Sequence, residues 1–171
     1  MPDALLDRMK ADRGWLAGIM QKVPGFRGYL ENTTIWEADR MVREELAGRL
    51  AACKEPVSAA VKAAGKDVRA GDRLSALESL MTRLDRVANK VRFADYGHSA
   101  LSAKVKIREA DLARLLAADR ALFEKLPAIE SAAAASASAP ESAASCAAAL
   151  GAFELKFDAR KQTLVQAAAG G

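Results

Sequence analysis

Between residues 74 and 91 the apolar side chains Leu74, Leu77, Met81, Leu84, Ala88 and Val91 follow one another at intervals of three, four, three, four and three. This is the a/d repeat of a helix buried along one narrow stripe. Glu78, Arg83, Asp85, Arg86, Lys90 and Arg92 stand among the intervening positions, as a helix wetted on its other faces requires. Valine, isoleucine and threonine are sparse and nowhere alternate with polar residues over five or six positions, so a sheet has no sequence to build it.

The helical period recurs along the chain. Leu5, Leu6, Met9, Leu16, Ile19, Met20 and Val23 mark a first amphipathic segment over about 3–22, which Pro24-Gly25 ends because proline disfavours a helical residue before it. Asn32-Thr33-Thr34 supplies N-cap side chains, and Glu37 follows Thr34 in capping-box spacing. A helix over 32–64 is expected on Ile35, Val42, Leu46, Leu50, Cys53, Val57, Val61 and Ala64, with a kink or break near Pro56. The seam helix is expected over 72–96 and closes at Gly97. Another over 108–129 uses Leu112, Leu115, Leu116, Leu122, Phe123, Leu126 and Ile129, bent in its last turn by Pro127. The last, over 140–167, continues the heptad spacing through Cys146, Leu150, Phe153, Phe157 and Leu164, with Arg160 where an apolar residue is expected.

Alanine supplies 39 of the 171 residues, and twelve of these share the stretch 131–152 with five serines and a single charge, Glu141. Residues 131–139 read as an Ala/Ser-rich connector, and Pro140-Glu141 as the first turn of the final helix. The chain as a whole, 1–171, reads as one all-α domain: an antiparallel four- to five-helix bundle with coiled-coil-like hairpins. Alanine buries little area per residue, so a second copy that adds burial is expected and a homodimer is favoured.

Composition narrows the chemistry. One histidine and two cysteines cannot supply a zinc finger, a cysteine-ligated cluster or the Glu-x-x-His pairs of a di-iron bundle, so no metal or cofactor is expected. Met1-Pro2-Asp3-Ala4 runs directly into an amphipathic pattern rather than a leader, and no apolar run of about 18 residues is present to span a bilayer. A cytoplasmic protein is expected, with Cys53 and Cys146 as two reduced core thiols. The net charge is +4, and all of the surplus lies within 51–130, which holds fifteen basic and eleven acidic residues.

Four groups of residues invite a functional reading. His98, beside Asp95, Tyr96 and Ser99, could serve as a general base, yet its place at a helix end next to Gly97 suits a residue that satisfies the terminus. Glu37, Asp39, Glu44 and Glu45 lie close together, but Arg40 between Glu37 and Glu44 makes them a salt-bridged, solvated helix surface. The loop Val23-Pro24-Gly25-Phe26-Arg27-Gly28-Tyr29 carries a Gly-x-x-Gly without the sheet of a KH domain or the strand and Lys-Ser/Thr of a P-loop. It reads as a helix connection whose Phe26, Arg27 and Tyr29 form a candidate partner surface. Lys62, Lys66, Arg69 and Arg73, at intervals of four, three and four, continue into Arg83, Arg86, Lys90 and Arg92. This basic stripe over 62–92 could contact the phosphates of DNA or of an anionic membrane surface, although it lacks aromatics to stack on bases.

The loop Val23 to Tyr29, the following Glu37-Ala38-Asp39-Arg40, Asp85-Arg86-Val87 and Ala94-Asp95-Tyr96-Gly97 together resemble a group of small uncharacterised bacterial coiled-coil proteins. Members of that group carry a Pro-Gly-Phe-x-Gly-Tyr loop, an Arg-Glu-Ala-Asp helix and an Ala-Asp-Tyr-Gly turn. The likeness covers roughly 20–110. This chain departs from it in Trp36, where the group has arginine, in His98, where an aromatic is usual, and in the Ala/Ser stretch, which replaces a more charged segment. The group has no established activity, so the resemblance implies a helical fold and assigns no catalytic residue. The residues point to a non-enzymatic interaction or scaffold protein that self-associates or docks partner helices. A polyanion binder using the basic stripe is the alternative, followed by an enzyme using Asp95, Tyr96 and His98.

Overall fold

Two prolines set the helix boundaries in the computed structural model, which describes residues 35–94, 109–139 and 141–169. Proline has no N–H to give the carbonyl four residues back, and its ring crowds that carbonyl. Helix α1, Ile35–Ala52, ends four residues before Pro56, and α2, Lys54–Ala64, begins beyond Cys53 with the proline in its first turn. The same interval recurs further on: α4, Glu109–Phe123, ends four residues before Pro127, and α5, Leu126–Ala135, carries that proline as its second residue. Of the kink or break expected near Pro56 the structure shows the break, and the bend expected at Pro127 is likewise a break, each placed about one turn before its proline. The remaining helices are α3, Gly71–Arg92, and α6, Ser142–Ala169. The described residues form six helices and no strand, an all-α architecture.

The connector expected over 131–139 is corrected by α5, which stays helical through Ala135. Its run of alanines has the highest helix propensity of any residue type, and Ile129 and Ala133 are buried. Residues 136–141 link α5 to the final helix. The expected segment 3–22, the loop 23–29 with Phe26, Arg27 and Tyr29, and the Asp95, Tyr96 and His98 turn lie outside the described residues.

The described residues fall into two compact units rather than the one domain read from the sequence. One holds 35–45, 109–120 and 159–169; the other holds 46–94, 121–139 and 141–158. In the second unit α2 packs on α3 and on α5, over a core that includes Leu50, Val57, Leu80, Leu84, Leu126, Ile129, Phe153 and Phe157. The two phenylalanine rings lie parallel within 6° at a centroid distance of 6.5 Å.

Helix α3 buries Leu77, Leu80, Leu84, Val87, Ala88 and Val91, while Leu74 and Met81 are half-buried. The buried stripe shares Leu77, Leu84, Ala88 and Val91 with the seam read from the sequence but is completed by Leu80 and Val87 in place of Leu74 and Met81, so α3 is rotated toward them. Polar contacts fix its register against α6. Arg83 lies against Gly151, Arg86 against Glu154 and Lys90 against Asp158, each pair 68 positions apart. A constant difference in residue number means that α3 and α6 run side by side in the same direction.

Candidate functional site

The eight cations of the basic stripe divide among three environments. Lys62, Lys66 and Arg69 are exposed, with no ion pair among the described residues. Their sequence spacing presumes one helix, but α2 ends at Ala64 and α3 begins at Gly71, so the stripe crosses a loop and Arg73 turns inward. Its Nη2 donates to the carbonyls of Ser136 and Ala137 at 3.1 and 2.7 Å, where the end of α5 leaves carbonyls without helical partners. Arg83 donates from Nη1 to the Ala147 carbonyl at 2.9 Å and from Nη2 to Glu154 at 3.1 Å. Arg86 stands 3.5 Å from the other Glu154 oxygen, and Lys90 donates to Asp158 at 2.9 Å. Arg92 is exposed at the end of α3. A surface that looks continuous in sequence is thus partly consumed in holding α3 to α5 and α6.

Four charges meet in the first unit. Arg160 of α6 and Asp39 of α1 are joined at 2.5 Å, with side chains 0% and 1% exposed. Arg160 Nε donates to Asp119 of α4, also buried. Arg43 Nε donates to the second oxygen of Asp39 at 2.7 Å. Two cations therefore face two carboxylates. Burial pushes the Asp119 carboxyl above its ordinary range against the pull of Arg160, and the charge of Asp39 adds to the rise. Asp119 Oδ2 is buried without a hydrogen-bond partner among the described residues. The solvated reading of the α1 carboxylates is corrected for Asp39, whereas Arg40 and Glu44 do form an exposed pair at 2.8 Å.

Cys53 and Cys146 are both buried and free in the second unit. The Cys53 thiol donates to the Arg49 carbonyl at 3.3 Å and the Cys146 thiol to the Ile129 carbonyl at 3.7 Å. Burial pushes both thiols up, Cys53 to about 11 with help from the charge of Glu130. Arg49 makes a two-pronged pair with that glutamate, both bonds at 2.7 Å. These are thiols held in the unreactive protonated form.

An open groove of about 560 Å³ runs along the second unit, lined by Ala51, Ala52, Ser58, Ala59 and Met81 and by the charged Lys54, Glu55 and Lys62. Lys54 is tied to Asp85 of α3 at 2.6 Å. Small side chains on successive turns let another helix approach closely. Met81 lines this groove because the rotation of α3 turns it away from the core. No family model, curated protein or solved structure matches this chain.

Sequence reasoning missed the charge cluster for a definite reason. Arg160 did stand out as a cation in an apolar line, but its partners Asp39 and Asp119 lie 121 and 41 positions away, and no local spacing connects them. The groove left no sequence signal beyond alanines at 51, 52 and 59, which share their spacing with a buried face. No described helix is long and apolar enough to cross a membrane, and no group of three or more metal-ligating side chains occurs among the described residues.

Proposed function

We propose that the protein is a non-enzymatic helical interaction module acting in the cytoplasm, in which α2 and α3 form an antiparallel, coiled-coil-like hairpin. In this reading the groove along α1, α2 and α3 receives a helix of a second copy. The observation that carries it is the groove itself, lined by alanine and serine between Lys54, Glu55 and Lys62, whose one large apolar side chain, Met81, is flexible enough to adapt to an incoming surface. The hairpin is supported by two juxtapositions. Lys54 pairs with Asp85, and Ser58 and Met81 line the same groove, so rising numbers on α2 meet falling numbers on α3.

Light scattering of the full chain over a range of concentrations tests the reading, together with Ala59→Trp, an exposed position where the indole fills the channel. A dimer that Ala59→Trp converts to monomer supports it. A photo-crosslinker at Ser58 that captures a helix of another protein, from a chain monomeric by mass, moves the occupant to that partner. A monomer that captures nothing at Ser58 overturns the reading.

A further inference from the structure

The loop between α2 and α3 carries an arrangement that neither helix packing nor capping accounts for. It is held in one conformation by its own hydrogen bonds. Gly65 donates to the Val61 carbonyl at 2.9 Å, Asp67 to the Ala64 carbonyl at 3.0 Å, Ala70 to the Asp67 carbonyl at 3.0 Å, and the Arg69 amide to the Asp67 carboxylate at 2.9 Å. At its apex Val68 is wholly exposed, at 102% of its reference area. Asp67 and Arg69 are the neighbours of this valine in the chain, Lys66 stands one position further and Lys62 one turn below, and all three cations are exposed. Lys62 and Lys66 favour the negative end of the α2 dipole, but that role explains neither Arg69 nor an apolar side chain presented entirely to water.

We infer that the Gly65 to Ala70 loop is a contact point for the headgroups of an anionic lipid bilayer. An exposed apolar apex with Lys66 and Arg69 close by matches a surface that is negative at the headgroups and apolar just beneath. Lys66 and Arg69 reach phosphate and carboxylate groups while Val68 enters the boundary with the acyl chains. Asp67 and Asp72 are the acids beside the loop; against the three cations they leave it one positive charge, and the Asp67 Oδ1 accepts from the Arg69 amide. Duplex nucleic acid would meet the same cations but offers Val68 nothing apolar, and the segment has no aromatic side chain to stack on bases. The surface centres on this loop because Arg73 and Arg83 donate to the carbonyls of Ser136, Ala137 and Ala147, and Arg86 and Lys90 pair with carboxylates of α6. Each cation near an anionic leaflet is worth about 1 kcal/mol, or about fivefold in partitioning, so binding is weak and salt-sensitive.

This inference shares only Lys62 with the groove, and its variants leave that residue unchanged. Sedimentation of the full chain with phosphatidylcholine vesicles, with and without about a third phosphatidylserine, reads it directly. The expected result is pelleting only with phosphatidylserine, lost in high salt, about 25-fold weaker for Lys66→Ala with Arg69→Ala, weaker for Val68→Asp, and unchanged for Ala59→Trp. Every substituted loop side chain is exposed, so circular dichroism and the melting temperature are expected to match the parent. Absence of binding at low salt, equal binding to neutral vesicles, or parental binding by the Lys66→Ala, Arg69→Ala variant overturns it. Tighter binding to a duplex DNA, insensitive to Val68→Asp, overturns it in favour of a nucleic-acid surface.

Discussion

Replacing Arg160 with methionine tests the energetics of the buried charge cluster. The side chain is fully enclosed, bridges Asp39 and Asp119, and shares Asp39 with Arg43. Methionine keeps much of the aliphatic bulk but leaves two buried carboxylates facing one cation. Breaking a buried ion pair by removing one partner costs about 3–5 kcal/mol, a large part of the 5–15 kcal/mol typical of a folded domain. The loss also has a pH signature. The folded Asp119 carboxyl already sits above its unfolded value because of burial, and removing Arg160 takes away the attraction that restrains it, so it rises further. A carboxyl raised on folding binds its proton more readily in the folded state, so its contribution is most favourable at low pH and is lost as pH rises through the folded value. Urea denaturation followed by circular dichroism, at several pH values from about 7 down to about 5, should show Arg160→Met least stable relative to the parent at the highest pH. The deficit should shrink on acidification. Adding Asp119→Asn should recover most of the loss, since the Asp39 carboxylate that remains still has Arg43 as its partner. A deficit below about 1 kcal/mol, or one that grows as pH falls, would refute the reasoning.

Gly48 lies inside α1 with open space where a Cβ would stand, so Gly48→Ala should raise stability by about 0.5–1 kcal/mol in thermal or chemical denaturation. At Gly151 the added methyl would meet Arg83 Nη2 at 3.0 Å; Gly151→Ala should therefore gain less than Gly48→Ala, and Arg83→Met should restore the difference in a double-mutant cycle. Cys53 and Cys146 are buried with raised thiol pKa values, so a disulfide reagent should modify both far more slowly in the native protein than in urea; native rates equal to those of an unfolded thiol would contradict this. The Lys90 and Asp158 pair is about half exposed at both ends, and Asp158→Asn should cost no more than about 1 kcal/mol, less in high salt.

The sequence made the helices legible and left their boundaries to detail. Apolar spacing marks Val42, Leu46, Leu50 and Val57 in the first pair and Cys146, Leu150, Phe153, Phe157 and Leu164 in the last, and all are buried. It reads α3 less well. An a/d pattern on one helix leaves open whether Leu80 or Met81, both large and apolar, turns inward, and only neighbours can decide that. The run 131–135 looks like a tether because alanine fills no core, although the same alanines make a good helix when flanked by Leu126 and Ile129. Charge was the hardest to read, since a cation is scored as solvated unless its partner lies within a turn or two.

By itself, then, the sequence determined that the chain is helical, where its apolar stripes run and where proline interrupts them, because those are local effects of backbone geometry and side-chain period. The tertiary structure alone decided that Arg160, Asp39 and Asp119 meet in a dry interior, that Arg83, Arg86 and Lys90 are spent on α6, and that Lys62, Lys66 and Arg69 remain in water. Burial and pairing depend on segments distant along the chain, and no local period encodes which of them arrive.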